Sequence, residues 1–358
     1  MSATPTPTPT PRPSPGPLPE AVEAKRIELI TAIESQLDNI KLDQSSWAAL
    51  WLADIAVLQK HATSFDKEKF ALMSGYHPAA SIAKNWSART HSEKNDKPKT
   101  KKTRSKTTPE LVLERDNSRC LLTKAGEPVE IAHIYPFCMG KREGTQQQIR
   151  FWTYLELFWS KDRVAAWKAA VLGSSGTEVI HNMMALRSDV HELWGKARFA
   201  LKPGELSSDG KKLQVKFYWL PAYEWTPYRP LFPPPDDGKY SELSVNGAKL
   251  IDITNLTVLC SGAGLVFETT DPVDHPLPST AILDMQWVLA RLQALSGAAE
   301  ADECAIWPDR DSPGAGFLSS HDIDDDDGDE DDDNNAPPPP PSPPPPRQRA
   351  SFMLENIP

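Results

Sequence analysis

RDNSRCLLTKAGEPVEIAHIYPF at residues 115–137 and IHNMMALRSDVHELWGKARFALKP at 180–203 are the stretches that decide how this chain is read. In the first, strands are expected near 119–123 and 129–135, and His133 falls at the end of the second strand, just before Pro136. In the second, Asn182 sits in a loop, and Ser188 is placed to cap a helix whose third residue after the cap is His191. A strand-end imidazole, a loop amide and a first-turn imidazole can converge on one small site. Taken singly, each of these histidines is more often a core or surface residue than a catalyst.

With these residues in this order, the sequence resembles the HNH endonucleases, whose ββα-metal finger is a hairpin followed by a helix. The likeness is to the subgroup common in filamentous fungi, with a motif like R-D-x-x-R-C-x-x-T-G…A-H-I-x-P-F, and it covers a quarter of the chain. The resemblance implies an endonuclease that hydrolyses DNA phosphodiester bonds to 5′-phosphate and 3′-hydroxyl ends. It makes His133 the general base that takes a proton from the attacking water. Asn182 would hold the loop and polarise His133 through its amide, and His191 would bind a divalent metal ion, Mg2+ first, with Mn2+ or Zn2+ as alternatives. Every phosphodiester link is anionic, so Arg115, Arg119, Lys141, Arg142 and Arg187 are the candidate backbone contacts.

The sequence departs from that pattern in two places. Many family members carry an acidic residue or a histidine immediately before the base, and here that position is Ala132, which has no donor atom. The metal would then rest on His191 with Asn182, water and phosphate oxygens, which suits a loosely held Mg2+. His181 is a substitute ligand, although beside Asn182 in an extended loop it would point the other way. Ala132 also favours the alternative reading, a nuclease fold retained as a non-catalytic module that binds nucleic acid or protein partners. The second departure is the 49-residue step from His133 to Asn182. The insert contains QQQIRFWTYLELFWSKDRVAAWKAAVLG, in which Phe151, Trp152, Leu155, Phe158 and Trp159 make an apolar helical face, read as packing rather than as a platform for unpaired bases.

Working outward, helices are expected at 147–160, 162–172, 189–196 and 280–296, and strands near 198–202, 213–220 and 256–260. Upstream, Val22, Ile27, Ile30, Ile33, Leu37 and Ile40 trace one apolar face, and a second helix is expected from Ser46 to about His61. Helices and strands mix without a βαβ rhythm, so the class expected is α+β. The chain divides into a Pro/Thr-rich tail at 1–19, a helical region at 20–92, a basic linker at 93–108, a nuclease-like domain at 109–297 with its motif core at 112–203, and a disordered tail at 298–358. The basic run reads as a nuclear import signal at 97–106, a non-specific phosphate contact or a solvated linker.

Composition sets the remaining bounds. Of 35 prolines among 358 residues, eight lie in 1–19 and nine in APPPPPSPPPP at 336–346. Both tracts and the acidic run DIDDDDGDEDDDNN bury too little apolar area to fold, and the polyproline could dock on a domain that reads extended proline helices. Residues 301–358 hold 15 Asp or Glu against 3 Lys or Arg, a net of −12, so the formal −10 of the chain leaves +2 for residues 1–300. The acidic balance therefore belongs to the tail, where it serves as a solubiliser or as a cover for a basic cleft, and it does not argue against a DNA partner. WAALWLADIAVL at 47–58 is too short and too charged to span a bilayer, and 1–19 has no apolar core like that of a secretory signal. Cys120, Cys138, Cys260 and Cys304 show no C-x-x-C spacing, which reads as reduced thiols in an intracellular protein.

Overall fold

The computed structural model describes residues 16–37, 42–64, 66, 107–136, 139, 146–172, 176–221, 223–236 and 247–297. The basic run at 93–106, the acidic run, the polyproline tract, Cys138, Lys141, Arg142 and Cys304 lie outside them. The helix expected at 280–296 is α8 in chain order (Thr280–Ser296), and it is the axis of the fold. Ser279 caps its first turn through Ile282 N, and almost every residue from Ile282 onward is buried. A helix covered on all sides needs apolar side chains all round, which is why LDMQWVLARLQAL carries no clean stripe. It ends at Gly297 with φ +69°, where a Cβ would come within 2.5 Å of Trp225 N, so both conformation and space call for glycine.

Three N-terminal helices, α1 (Ala24–Glu34), α2 (Gln44–Leu52) and α3 (Ile55–Thr63), share that core. Every residue of α2 is buried, and the Gln44 side chain joins it to Leu295 O, Glu224 O and Thr226 N. The single helix expected from Ser46 to His61 is broken at Ala53, whose ψ of 154° is extended. Distant groups hold the break open: Asp54 N donates to Phe158 O, Arg26 donates to Ala53 O, and the Asp54 carboxylate accepts from Ser160 N and Arg163. The N-terminal tail also ends sooner than the expected residue 19. Leu18 is buried, and a 3-10 turn at Pro19–Val22 places Glu20 against Arg291, whose guanidinium stacks 3.9 Å from the Trp287 ring.

Burial alone would push the Glu20 carboxyl up, but the Arg291 guanidinium outweighs it and holds Glu20 below the usual carboxylate range. A depressed carboxylate contributes stability above its unfolded pKa and loses it as pH falls through the folded one. Glu20→Gln is therefore expected to lower the midpoint of thermal unfolding at pH 7, with the gap to the wild type closing below about pH 4.5. Melting curves across pH 3–7 check this, and a gap independent of pH would rule the ion pair out as its source.

The remaining elements frame the site. Helix α4 (Thr108–Arg115) opens with a capping box of Thr107 and Glu110, a helix that the composition of the linker had hidden. Strand β1 (Val129–His133) pairs antiparallel with β2 (Met183–Arg187), with His133 opposite Met183. Between them run α5 (Gln146–Leu155) and α6 (Lys161–Val171). Phe151, Trp152, Leu155, Phe158, Trp159 and Trp167 of this insertion are buried, and Trp159 Nε1 donates to Leu52 O. Helix α7 (Ser188–Gly195) follows β2 with no loop. A second sheet of β3 (Phe199–Leu206), β4 (Lys212–Trp219) and β7 (Ala263–Glu268) packs beneath α8, and β5 (Ile251–Asp252) pairs with β6 (Thr257–Val258). Among the described residues all pairing is antiparallel, and the class is α+β.

The strand expected near 119–123 is instead a tight turn. Asn117, Ser118 and Lys124 adopt positive φ, which breaks any extended run, and Leu121 N donates to Ala185 O as one bond on the outer edge of β2. The partner of β1 is β2, whose residues Met183 to Leu186 are all buried. Among the described residues, no helix is long and apolar enough to cross a membrane.

Candidate active site

The site begins with how β2 is held. Arg115, at the end of α4, and Asp116 form a fully buried two-point ion pair. Arg115 also donates to Ile180 O, Met183 O and Pro276 O, while Asp116 accepts from Ala185 N. The pair thus serves the outer edge of β2 and fixes the turn before it. This corrects the expectation that Arg115 contacts phosphate, because its donors face the protein interior. Arg119 is exposed, with Nη1 3.2 Å from Lys124 O, and Arg187 is joined by two bonds to Asp189, which raises its pKa.

Asn182 closes the 3-10 turn at Ile180–Asn182 and is 1% exposed. Its Oδ1 accepts from Tyr135 N at 2.7 Å, and its Nδ2 donates to Tyr135 O at 3.1 Å and Thr177 O at 3.0 Å. Its main-chain carbonyl accepts from Ile134 N. The side-chain amide therefore bonds the chain just after His133 and the chain just before Glu178, and its partners leave it no place as a metal ligand. Nor does it bond the His133 ring, as the resemblance implied.

The group on that ring is Glu178: His133 Nε2 lies 2.7 Å from Glu178 Oε1, with the carboxylate half exposed. His191 is 8% exposed, and its Nδ1 lies 2.7 Å from Glu130 Oε2. Arg187, not Ser188, is the N-cap of α7, and it makes no capping bond through its side chain. His191 and Trp194, three residues apart, share one face of α7. They meet β1 at two points three residues apart, His191 at Glu130 and the Trp194 Nε1 at the His133 carbonyl, 3.3 Å away. This places the end of β1 beside the helix that carries the second imidazole. The His181 ring bonds the Ala170 backbone of α6, and burial holds its pKa below the usual histidine value.

Neither Glu130 nor Glu178 stood out from the sequence. Glu130 shares the Ala132 face of β1 by strand alternation, a signal present in VEIAH but overshadowed by Ala132 itself. Glu178 lies in a loop with no periodicity to mark it. Among the described residues, no three His, Cys, Asp or Glu side chains gather as a metal site, so a closed structural zinc centre does not fit. An imidazole held at Nδ1 by a carboxylate does fit a loosely bound divalent ion that draws its other ligands from water and phosphate. A cavity of about 640 Å³ lined by Glu114, Lys211, Lys212, Glu268 and His275 includes neither His133 nor His191.

Residues 120–202 match the family model described as HNH endonuclease. No curated protein and no solved structure matches the chain.

Proposed function

We propose, from the match of residues 120–202 to the HNH endonuclease family model, that the chain is a metal-dependent nuclease acting on the phosphodiester bonds of DNA. Supporting this reading is the joining of β1 to α7, with His133 at the strand end and His191 in the first turn of the helix, tied through Trp194 and Glu130. His133 takes the proton of the attacking water, an imidazole being able to do so near neutral pH. As the new bond to phosphorus forms, the bond to the 3′ oxygen breaks and its electron pair leaves on that oxygen, which takes a proton from solvent water, giving 5′-phosphate and 3′-hydroxyl ends. The divalent ion, when bound, offsets charge on the phosphate and on the departing oxygen. His191 would hold it, with the Glu130 carboxylate fixing the ring and its tautomer.

The test is nicking of supercoiled plasmid with Mg2+, Mn2+ or EDTA. Nicking with metal alone, giving ends that a ligase reseals, is expected. Folded protein that leaves plasmid intact under all three conditions overturns the reading. Glu130→Gln is expected to weaken Mn2+ binding roughly 10–100-fold. Calorimetric titration of the variant checks this, and unchanged affinity would remove Glu130 from the metal's surroundings. The second reading, a non-catalytic binding module, is favoured by Ala132, which is buried and offers no ligand beside the base. DNA affinity that persists in EDTA with no nicking would select it.

A further inference from the structure

We infer that Glu178 is the positioning residue of the His133 base, and that Asn182 acts on His133 only by tying together the two segments that carry this pair. The inference rests on His133 being the base, as proposed above. An ionised carboxylate can only accept a hydrogen bond, so at 2.7 Å the proton of a neutral His133 sits on Nε2 and the basic nitrogen is Nδ1. When Nδ1 takes the proton of the attacking water, the ring becomes an imidazolium. A carboxylate in contact favours that charged form and so raises the basicity of the ring.

Both partners are held from behind. The His133 carbonyl accepts from Trp194 Nε1, and the Ile134 amide donates to Asn182 O. On the other side, Thr177 O accepts from Asn182 Nδ2, and Glu178 O accepts from Thr108 Oγ1 at 3.3 Å. One buried amide thus bonds the backbone two residues after His133 and one residue before Glu178. Such double anchoring of an exposed carboxylate is more than a surface ion pair needs, because surface pairs typically lose their Coulomb gain to side-chain entropy.

The charged groups on the elements around β1 have partners of their own. On α4, Glu110 accepts from Thr107 N, and Glu114 lies 3.3 Å from His275. Arg115 and Asp116 pair with each other beneath β2, and Arg187 pairs with Asp189. On α7, Glu192 pairs with Lys196 and His191 with Glu130. Glu178 is the carboxylate that the geometry places on the His133 ring.

The experiment compares wild type, Glu178→Gln and Glu178→Asp by two routes. Nitrogen-detected NMR of the His133 ring reads its tautomer and its titration without any need for activity. The expected result is a proton on Nε2 in the wild type, and in Glu178→Gln a titration shifted by about one pH unit toward acid. In nicking kinetics, Glu178→Gln is expected to lower kcat about tenfold or more with KM unchanged, and to move the acid limb to lower pH. Glu178→Asp is expected to restore the position of that limb. A Glu178→Gln protein whose ring tautomer, titration and kcat all equal the wild type overturns the inference, while its nicking would leave the nuclease reading standing. A wild type that never nicks, but whose His133 titration still moves in Glu178→Gln, upholds the pair and sinks the nuclease.

Discussion

His133→Ala is expected to lower the rate of metal-dependent nicking about 10²–10⁴-fold while leaving the fold and the affinity for Mn2+ in place. The range is that of a lost general base. The fold should survive because the bonds that hold residue 133 run through its backbone: the ladder to Met183 and the carbonyl that accepts from Trp194. The ring itself bonds a half-exposed carboxylate. Metal affinity should survive because His191 and Glu130 lie on other positions of the site. The checks are nicking rates and Mn2+ titration of the same preparation. A variant that nicks at the wild-type rate would take the base away from His133. One that loses metal binding together with activity would make His133 a ligand instead.

Arg115→Ala is expected to cost about 3–5 kcal/mol of stability, the usual penalty for removing one partner of a buried ion pair. The variant leaves the Asp116 carboxylate buried without its counter-charge, and the carbonyls of Ile180, Met183 and Pro276 lose a donor. For a domain of this size, the loss should appear as a fall of roughly 6–20 °C in unfolding midpoint. Arg119→Ala, four residues on and exposed, should change the midpoint little. Scanning calorimetry of both variants decides the matter. If Arg115→Ala melted like the wild type but bound DNA more weakly, the side chain would be a phosphate contact after all.

That pair of arginines also shows where the sequence stopped being legible. In RDNSR both are basic and lie close to the motif. Between them the left-handed Asn117 and Ser118 turn the chain, and Arg115 goes in to pair with Asp116 while Arg119 goes out. Strand β1 and helix α8 could be read because each carries its own signal, a β-branched run before proline in one and a serine-to-glycine span of apolar residues in the other. Strand β2 could not, since four buried residues in succession lack the alternation that marks a strand with one wet face. The break between α2 and α3 was invisible for another reason. Nothing in WLADIAVL forbids a helix, and the groups that hold it extended come from residues as distant as Phe158 and Arg163. At the site, the histidines and Asn182 could be picked out by motif. Their carboxylate partners required the register of β1 and the course of the loop at 176–180.

The pairing of His133 with Met183 has a kinetic side. Fifty residues separate them, and the turn that carries Asn182 is braced by Pro276 and Ser279, nearly a hundred residues further on. Contacts so remote in sequence must bear the entropy of closing long loops before they gain anything from meeting, and chains dominated by them fold slowly. The insertion that carries α5 and α6 bonds the junction of α2 and α3 through Trp159, Ser160 and Arg163, and collapse of the intervening loop onto that junction should shorten the search. The geometry around His133 should therefore be among the last parts of the molecule to form as the chain leaves the ribosome, after α8 has been synthesised and has docked.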